Sequence, residues 1–537
     1  MTSENGLIVF LTPEIALDQS LHIYSGGLGV FSGGFLVSAK KLGLPAIGIT
    51  ILPRQGYYDQ KANGHGMEIQ YINRFYDEIL EKTGIKFAVE VCGKCPIWIE
   101  VLKLPEGRFN SVEIFFLDTD ISENDPYSRT NTLQLYGGSY HSGANLDRKI
   151  MQSLIFAKGS IELIRRLGRV VRFYHVNESY GTLVMIELFS NFLANGLSVE
   201  EAIKSVRSTT VFTTHTPVDA GNPKYPTEIL ANFGNYSREM LVQCGGSPFD
   251  MAATGFFLSQ KSNAVSKRHL TTAQKIWHWT RGAPLISITN GVNRDFWQYG
   301  EFRNSKSALE TAWVKRIYKK ELINLISSRT GHNLNEDILT IVWARRFAEY
   351  KRPKLIFYNY DWLISKLISK EIQLIFAGKP HPDDRPMIDV WNEIFGLSQE
   401  FESLVMLPGY ELELSKILKG GADLWLNTPR APYEACGTSG MSAAMNGAIH
   451  MSTPDGWACE ANPENCFLFG SDQHLAGGYS QDAHDAVELK NTLEQALDMH
   501  YRSKNKWYEK SFNAKTEAEE RWTSDRMVAE YEKLLYC

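Results

Sequence analysis

Leu339-Thr-Ile-Val-Trp343, running directly into Ala344-Arg-Arg-Phe-Ala-Glu-Tyr-Lys-Arg352, is the stretch whose reading decides the fold. A short apolar run without polar alternation reads as a strand buried on both faces, the condition of a parallel sheet covered by helices. Four cations lie between Arg345 and Arg352. They stand at the carboxyl end of that strand, where open α/β sheets bind ligands. Cations at a helix start oppose the macrodipole, so an anionic partner is expected for them. Arg346 and Lys351 are the expected phosphate ligands, through charge-assisted hydrogen bonds.

Outward from this segment the same kind of run recurs. Leu7–Leu11, Ala46–Leu52, Val112–Leu117, Val171–Val176, Val211–Thr214 and Leu285–Ile288 precede it, and Gln373–Phe376, Leu404–Met406 and Asp423–Leu426 follow. Between them Arg148–Arg166, Thr182–Ala194, Pro353–Ser369 and Leu412–Gly420 carry helical periodicity. Strands alternating with helices predict βαβ units and parallel sheets, an α/β fold. One series lies on each side of residues 290–335, which predicts two Rossmann-like domains, 1–290 and 291–537. The second ends in a charged helical tail, Glu494 to Tyr536, that holds no Pro or Gly.

The 537 residues carry 61 acidic and 56 basic side chains, a formal net charge of -5, and 43% are hydrophobic. That composition excludes a disordered chain or a small disulfide scaffold. The slight acidity excludes a broadly basic nucleic-acid binder. No apolar run approaches the roughly 20 residues of a membrane span, and Met1-Thr-Ser-Glu-Asn-Gly6 lacks the basic start of a signal peptide. Seven cysteines, odd and sparse, suit a reducing compartment. A cytoplasmic protein with neither nucleic-acid nor membrane partners is expected.

Two glycine-bearing loops follow strands. Tyr24-Ser-Gly-Gly-Leu-Gly29 opens an apolar helix. Its glycines admit close backbone approach and the helix start offers free N–H groups to an anion, although a tight turn alone would equally explain it. The other is Thr428-Pro-Arg-Ala-Pro-Tyr-Glu434-Ala-Cys-Gly437-Thr-Ser-Gly440-Met-Ser442. Here Gly437–Gly440 reads as a second anion cradle at a helix start, or as a capping turn. Glu434 beside it suits an acceptor for sugar hydroxyls, since a buried carboxylate without donors is costly. Cys92-Gly-Lys-Cys95 has no second pair at zinc spacing and reads as reduced structural thiols. His215 follows a strand and is a candidate to face a ligand, although a lone histidine is more often structural. No metal site and no Ser-His-Asp arrangement stands out.

The segments Ile23–Gly29, Pro53–Tyr58, Leu135–Gly138, His175–Glu178, Val211–Pro217, Thr289–Gly291, Ala344–Arg352, Phe376–Pro382, Trp425–Arg430 and Glu434–Asn446 resemble, in this order, the short form of the α-glucan (glycogen) phosphorylases. The resemblance extends from end to end. It implies a GT-B fold, two Rossmann-like domains facing a central cleft, and retaining glycosyl transfer. It places Gly26, Gly27 and Leu28 in the glycine loop by the donor phosphate, with Arg346 and Lys351 as phosphate cations. Thr438, Ser439 and Gly440 become the second phosphate site, and Asn290, Glu434 and Gly437 become sugar contacts. Homodimers are common in the family.

Two positions depart from that pattern. The family's Gly-Met-Lys lysine, which forms the Schiff base with pyridoxal phosphate, is replaced by Ser442, and a hydroxyl cannot form an imine. The nearest lysines in sequence, Lys419 and Lys490, offer no obvious replacement. The family's Asn-Glu-Gly-His reads Asn177-Glu-Ser-Tyr180, so Tyr180 stands where a histidine contacts the sugar's 6-hydroxyl. Arg346-x4-Lys351 and Glu434-Ala-Cys-Gly437 also resemble the diphosphate clamp and sugar segment of sugar-nucleotide-dependent enzymes, although Tyr24 replaces the lysine of their glycine loop. The expectation is therefore a retaining hexosyltransferase with no cofactor, covalent pyridoxal phosphate being excluded at Ser442. It would carry a hexose from a sugar nucleotide to a carbohydrate acceptor by front-face displacement. The alternatives are an α-glucan or oligosaccharide phosphorylase using sugar 1-phosphate, with pyridoxal phosphate bound non-covalently or absent, and a catalytically silent carbohydrate-binding homologue.

Overall fold

Leu7–Leu11 pairs in parallel with Ala46–Ile51 on one side and Val171–Asn177 on the other. Its side chains alternate between two cores: Val9 and Leu11 enter one, Ile8 and Phe10 the other. That is why the segment reads as uniformly apolar. The computed structural model describes residues 6–537 except 65, 94, 140–144, 219–220, 281, 283 and 473–477. It divides into two compact units, one of residues 1–57, 71–289 and 525–537, the other of 58–70 and 290–524.

In the first unit the sheet order is Leu285–Ser287, Lys261–Ala264, Thr210–Thr213, Val171–Asn177, Leu7–Leu11, Ala46–Ile51, Ile114–Asp118, Cys95–Leu104, Glu81–Val91. All pairings are parallel except those made by the last two strands. These form an antiparallel hairpin whose turn passes through Cys92 (φ 50°) and Gly93 (φ 75°). Cys92 and Cys95 therefore flank a hairpin turn, and both are free thiols. The helix Gly27–Leu42 packs tightly on the backbone before it: a Cβ at Gly33 would lie 1.9 Å from the Ala16 carbonyl oxygen.

The last segment, Asp525–Cys537, belongs to this first unit and not to the one that precedes it in sequence. Met527, Val528, Tyr531, Leu535 and Tyr536 fill the core beside Phe31 and Phe35. Asn263 donates to the Tyr531 hydroxyl at 2.9 Å, and the Tyr536 hydroxyl bonds to the His175 ring. The expected undivided 291–537 domain is corrected in this respect. Its partner correction is the hairpin of Asp59–Asn63 and Gly66–Gln70, which belongs to the second unit. There Gln60 donates to Gly378 O at 3.0 Å and accepts from Gly409 N at 3.1 Å.

The second unit's sheet is wholly parallel, in the order Leu404–Leu407, Ile372–Ala377, Leu339–Ala344, Leu424–Asn427, Ile449–Ser452, Cys466–Leu468. Helices cover both faces. Ile341 and Trp343 enter one core, Val342 and Ala344 the other. The expected helix Pro353–Ser369 is broken: a short 3-10 turn, Leu355–Asn359, precedes the α-helix Tyr360–Ile368. Just before it Arg352 adopts a left-handed backbone (φ 46°). The order of strands reverses between Leu339–Ala344 and Leu424–Asn427, and in the first unit between Leu7–Leu11 and Val171–Asn177. Such switch points leave a crevice at the strands' carboxyl ends. Each unit is an α/β fold built around a largely parallel sheet. Among the described residues no helix is long and apolar enough to cross a membrane.

Candidate functional site

At the second unit's switch point the strand Leu339–Ala344 continues as an extended segment in which residues alternate. Arg345 and Phe347 turn inward while Arg346 stays exposed. The backbone is held by Arg345 N to Ala377 O at 3.1 Å and Phe347 N to Lys379 O at 3.1 Å. From the neighbouring strand's loop comes Glu434, 8% exposed, whose backbone N–H donates to Asp455 Oδ2 at 2.8 Å. Arg345 Nη2 and Lys351 Nζ each donate to Glu434 Oε2 at 2.8 Å. Burial alone would raise the Glu434 carboxyl, but Lys351 and Arg345, with Arg346 as a weaker third, hold it below the usual range.

The cations expected to await an anion are thus largely engaged by the protein's own carboxylates. Lys351 is spent on Glu434. Arg352 pairs with Asp482 at 2.9 Å and Asp485 at 2.8 Å, and donates to the carbonyls of Thr428 and Pro429. Arg346 alone of the four is exposed. Two openings remain. Arg345 Nε and Nη1 are buried without a hydrogen-bond partner among the described residues. Both cations meet Oε2, so Glu434 Oε1 accepts nothing among the described residues. Orphaned charged donors are rare in folded proteins and mark a place for a polar ligand.

Gly437 closes the cluster with a left-handed backbone (φ 81°), and a Cβ there would crowd Glu434 Cγ at 3.3 Å. Of the expected anion cradle beside it, Ser439–Ala444 is a helix of six residues with no side-chain cap. Gly440 is small for a different reason, since a Cβ would strike the His450 ring at 2.5 Å. Thr438 and Ser439 are half-buried, and Trp425 Nε1 donates to Ser439 Oγ at 3.2 Å. Ser442 is 1% exposed and its hydroxyl turns back to Ser439 O at 3.1 Å. Asn290 is buried at the start of this unit.

The first unit gathers its own candidates at the other switch point. Ser25 N and, at 3.3 Å, Gly26 N donate to Glu14, a carboxylate that burial pushes up against those bonds. An internal carboxylate thus takes one of the loop amides expected to meet phosphate, that of Gly26. Gly26 and Gly27 nevertheless have nothing within 4 Å of a built Cβ, so the fold itself does not require them to be glycine. Leu28 is half-buried in the first turn of the helix. Glu178 (φ 78°) accepts from Ser179 N, His215 N and Thr216 Oγ1, and burial pushes its carboxyl up to about 7. His215 bonds Asn177 Oδ1 at 2.8 Å, and its ring meets Phe31 edge-on at 4.5 Å. Burial holds it well below its ordinary pKa, hence neutral. Tyr180 is corrected: it is a core residue, 6% exposed, edge-on to Tyr136 at 5.6 Å, with its hydroxyl on Gln152.

Reading the sequence missed Glu14, Asp455 and the pairing of Arg345 with Glu434. Only the last carried a signal, a cation immediately after a buried strand.

A family model for carbohydrate phosphorylases matches residues 298–500. A maltodextrin phosphorylase of Thermococcus litoralis is 31% identical over 594 residues, covering 98% of this chain and 70% of the relative. A glycogen phosphorylase of Aquifex aeolicus is 29% identical over 603 residues, covering 98% and 86%. An uncharacterised protein of Methanocaldococcus jannaschii is 35% identical over 534 residues, covering 97% and 98%.

Proposed function

The chain belongs to the carbohydrate phosphorylase family, and on that premise we propose that it is an α-glucan or oligosaccharide phosphorylase, exchanging a glycosyl group between a glucan and phosphate. The observation that carries this reading is the Arg345–Glu434–Lys351 cluster at the switch point, with two buried guanidinium donors of Arg345 left without partners. Relatives named maltodextrin and glycogen phosphorylase across nearly the whole chain support it. The exposed Arg346 receives substrate phosphate. Arg345 offers its unpaired donors to the same anion and stabilises charge as it develops. Glu434 Oε1 accepts from a sugar hydroxyl, and Lys351 and Arg345 hold that carboxylate ionised to do so. In the reaction a phosphate oxygen forms the new bond to the anomeric carbon as the glycosidic bond breaks. The phosphate's proton passes to the departing glucan oxygen.

A second reading, hexosyl transfer from a sugar nucleotide, is favoured by one observation. Position 442 holds a buried hydroxyl bonded to its own helix and no amine. The test is direct. Incubation with an α-glucan and inorganic phosphate is expected to release sugar 1-phosphate, and the reverse reaction to consume it. Release of nucleoside diphosphate from a sugar nucleotide, with no phosphate-dependent product, would replace the first reading by the second.

A further inference from the structure

Of the seven cysteines, only Cys92 and Cys95 stand within a few residues of one another, and the fold brings a third sulfur to them. The strands Glu81–Val91 and Cys95–Leu104 pair antiparallel with Val91 opposite Cys95, Val89 opposite Ile97 and Phe87 opposite Ile99. Residues opposite one another on such a pair share a face of the sheet. This face is the inner one: Phe87, Val89, Val91, Ile97 and Ile99 enter the core that also holds Ile150, Met151 and Leu154 of the helix Leu146–Leu167. Cys95 therefore stands at the exposed rim of the face that covers this helix. Cys92, half-buried in the turn, donates its thiol to Met151 Sδ at 3.2 Å.

The turn is anchored, since Cys92 N donates to Phe233 O at 2.8 Å. The contact between the thiol and the thioether joins a weak donor to a weak acceptor, so little is lost when both sulfurs turn to a metal instead. On the helix Asp147 lies four residues before Met151 and shares its face. Burial first, and then Cys95 and Asp147, push the Cys92 thiol above its ordinary range. Neighbours that disfavour a lone thiolate favour one that carries a cation.

We propose that Cys92, Cys95 and Met151 form a binding site for a single copper(I) ion, held by two thiolates and one thioether. Donors of this softness select copper(I). Zinc instead takes closed sets of four ligands drawn from thiolate, imidazole and carboxylate, and no thioether belongs to that set. As the ion binds, the two S–H bonds break, two protons pass to solvent and three copper–sulfur bonds form. The copper keeps its oxidation state and no electron moves. The bound ion clips the tip of the edge hairpin to the start of the helix beneath it. The sequence carried half of this signal in its C-x-x-C; the other half, Met151, lies far along the chain. The inference is independent of the phosphorylase reading and stands or falls without it.

The full-length protein, kept reduced and free of air, is titrated with copper(I) against bicinchoninate, whose coloured copper complex fades as metal is withdrawn from it. Wild type is expected to withdraw one copper(I) per chain. Cys92→Ser and Cys95→Ser are each expected to weaken binding beyond the roughly 10–100-fold that losing a residue behind a metal ligand costs. Met151→Leu, a change that conserves volume, is expected to weaken it by about tenfold. X-ray absorption at the copper edge then counts the neighbours, three sulfurs in wild type and two in Met151→Leu. Failure of wild type to withdraw copper overturns the proposal. Undiminished binding in the double variant Cys92→Ser, Cys95→Ser also overturns it, because the ion would then sit on the other cysteines. Two sulfurs in wild type and Met151→Leu alike would remove the thioether and with it the site. The wild-type titration and absorption decide alone if a variant does not fold.

Discussion

Arg345 and Arg346 are neighbours with opposite fates, and substitution separates them. Arg346 is exposed and makes no part of the buried triad, so Arg346→Ala is expected to leave the unfolding midpoint within about 0.5 kcal/mol of wild type. The same change is expected to lower phosphorolysis by roughly 10²–10³, the scale of one lost charge-stabilising donor. Unchanged kinetics would remove Arg346 from the phosphate assignment. Glu434→Gln should act on stability instead, because it leaves two buried cations facing an uncharged amide. A loss of about 3–5 kcal/mol is expected in urea titration, and a loss below 1 would mean the cluster is solvated. The cationic cluster itself was legible from residue types after a buried strand. The carboxylates that pair with Arg352 were not, because Asp482 and Asp485 lie far along the chain and no local pattern announces them. Tyr180 misled for a related reason: aligning a position with a histidine says nothing about where Gln152 will sit to receive its hydroxyl.

Within the helix Gly27–Leu42 the glycines divide by what surrounds them. Gly33→Ala would drive a methyl into the Ala16 carbonyl and is expected to prevent the native packing of that helix, read as loss of cooperative unfolding. Gly27→Ala, in open space, is expected to preserve it and to weaken substrate binding alone. Equal stability of the two variants would refute the distinction. Ten parallel strands were readable because burial of both faces leaves continuous apolar runs; Lys261–Ala264, Ile449–Ser452 and Cys466–Leu468 were not read. The hairpin Glu81–Val91 with Cys95–Leu104 was missed because one of its faces meets solvent: charged residues alternate along it and break the run. The terminal segment Asp525–Cys537 looked like one more turn of a charged tail. Its destination depends on Tyr531 and Tyr536, two large aromatics that charge counting overlooks. Tyr531→Ala is expected to cost about 3–5 kcal/mol; a cost under 1 would mean the segment is not part of the core.

For the whole chain, buried histidines set the acid limit of stability. Burial lowers His175, His269 and His450 to about 3 each, and lowers His215 and His500 as well. Between about 3 and 6.5 the unfolded chain binds protons that the folded chain refuses, so these groups make stability rise with pH at about 1.4 kcal/mol per proton per unit. Glu178, raised to about 7, works in the opposite sense from about 4.5 upward, as do Glu14 and Asp118, which burial also raises. The histidines are more numerous, so the thermal midpoint is expected to climb from pH 5 to about 6.5 and then level or fall slightly as Glu178 ionises. A midpoint that falls steadily across that interval in a fluorimetric pH series would contradict this balance.

The return of Asp525–Cys537 to the first unit also has a consequence for the order in which the molecule is made. Emerging from the ribosome, the chain supplies the strands of the first unit early, yet the tyrosines that complete its core are translated after every residue of the second. The unit that begins first in sequence therefore finishes last. A nascent chain held by an appended stalling segment, so that residues up to Ser524 but not 525–537 have emerged, should show a protease-resistant second unit beside a first unit that is still readily cleaved, and protection of the latter should arrive once residues 525–537 emerge.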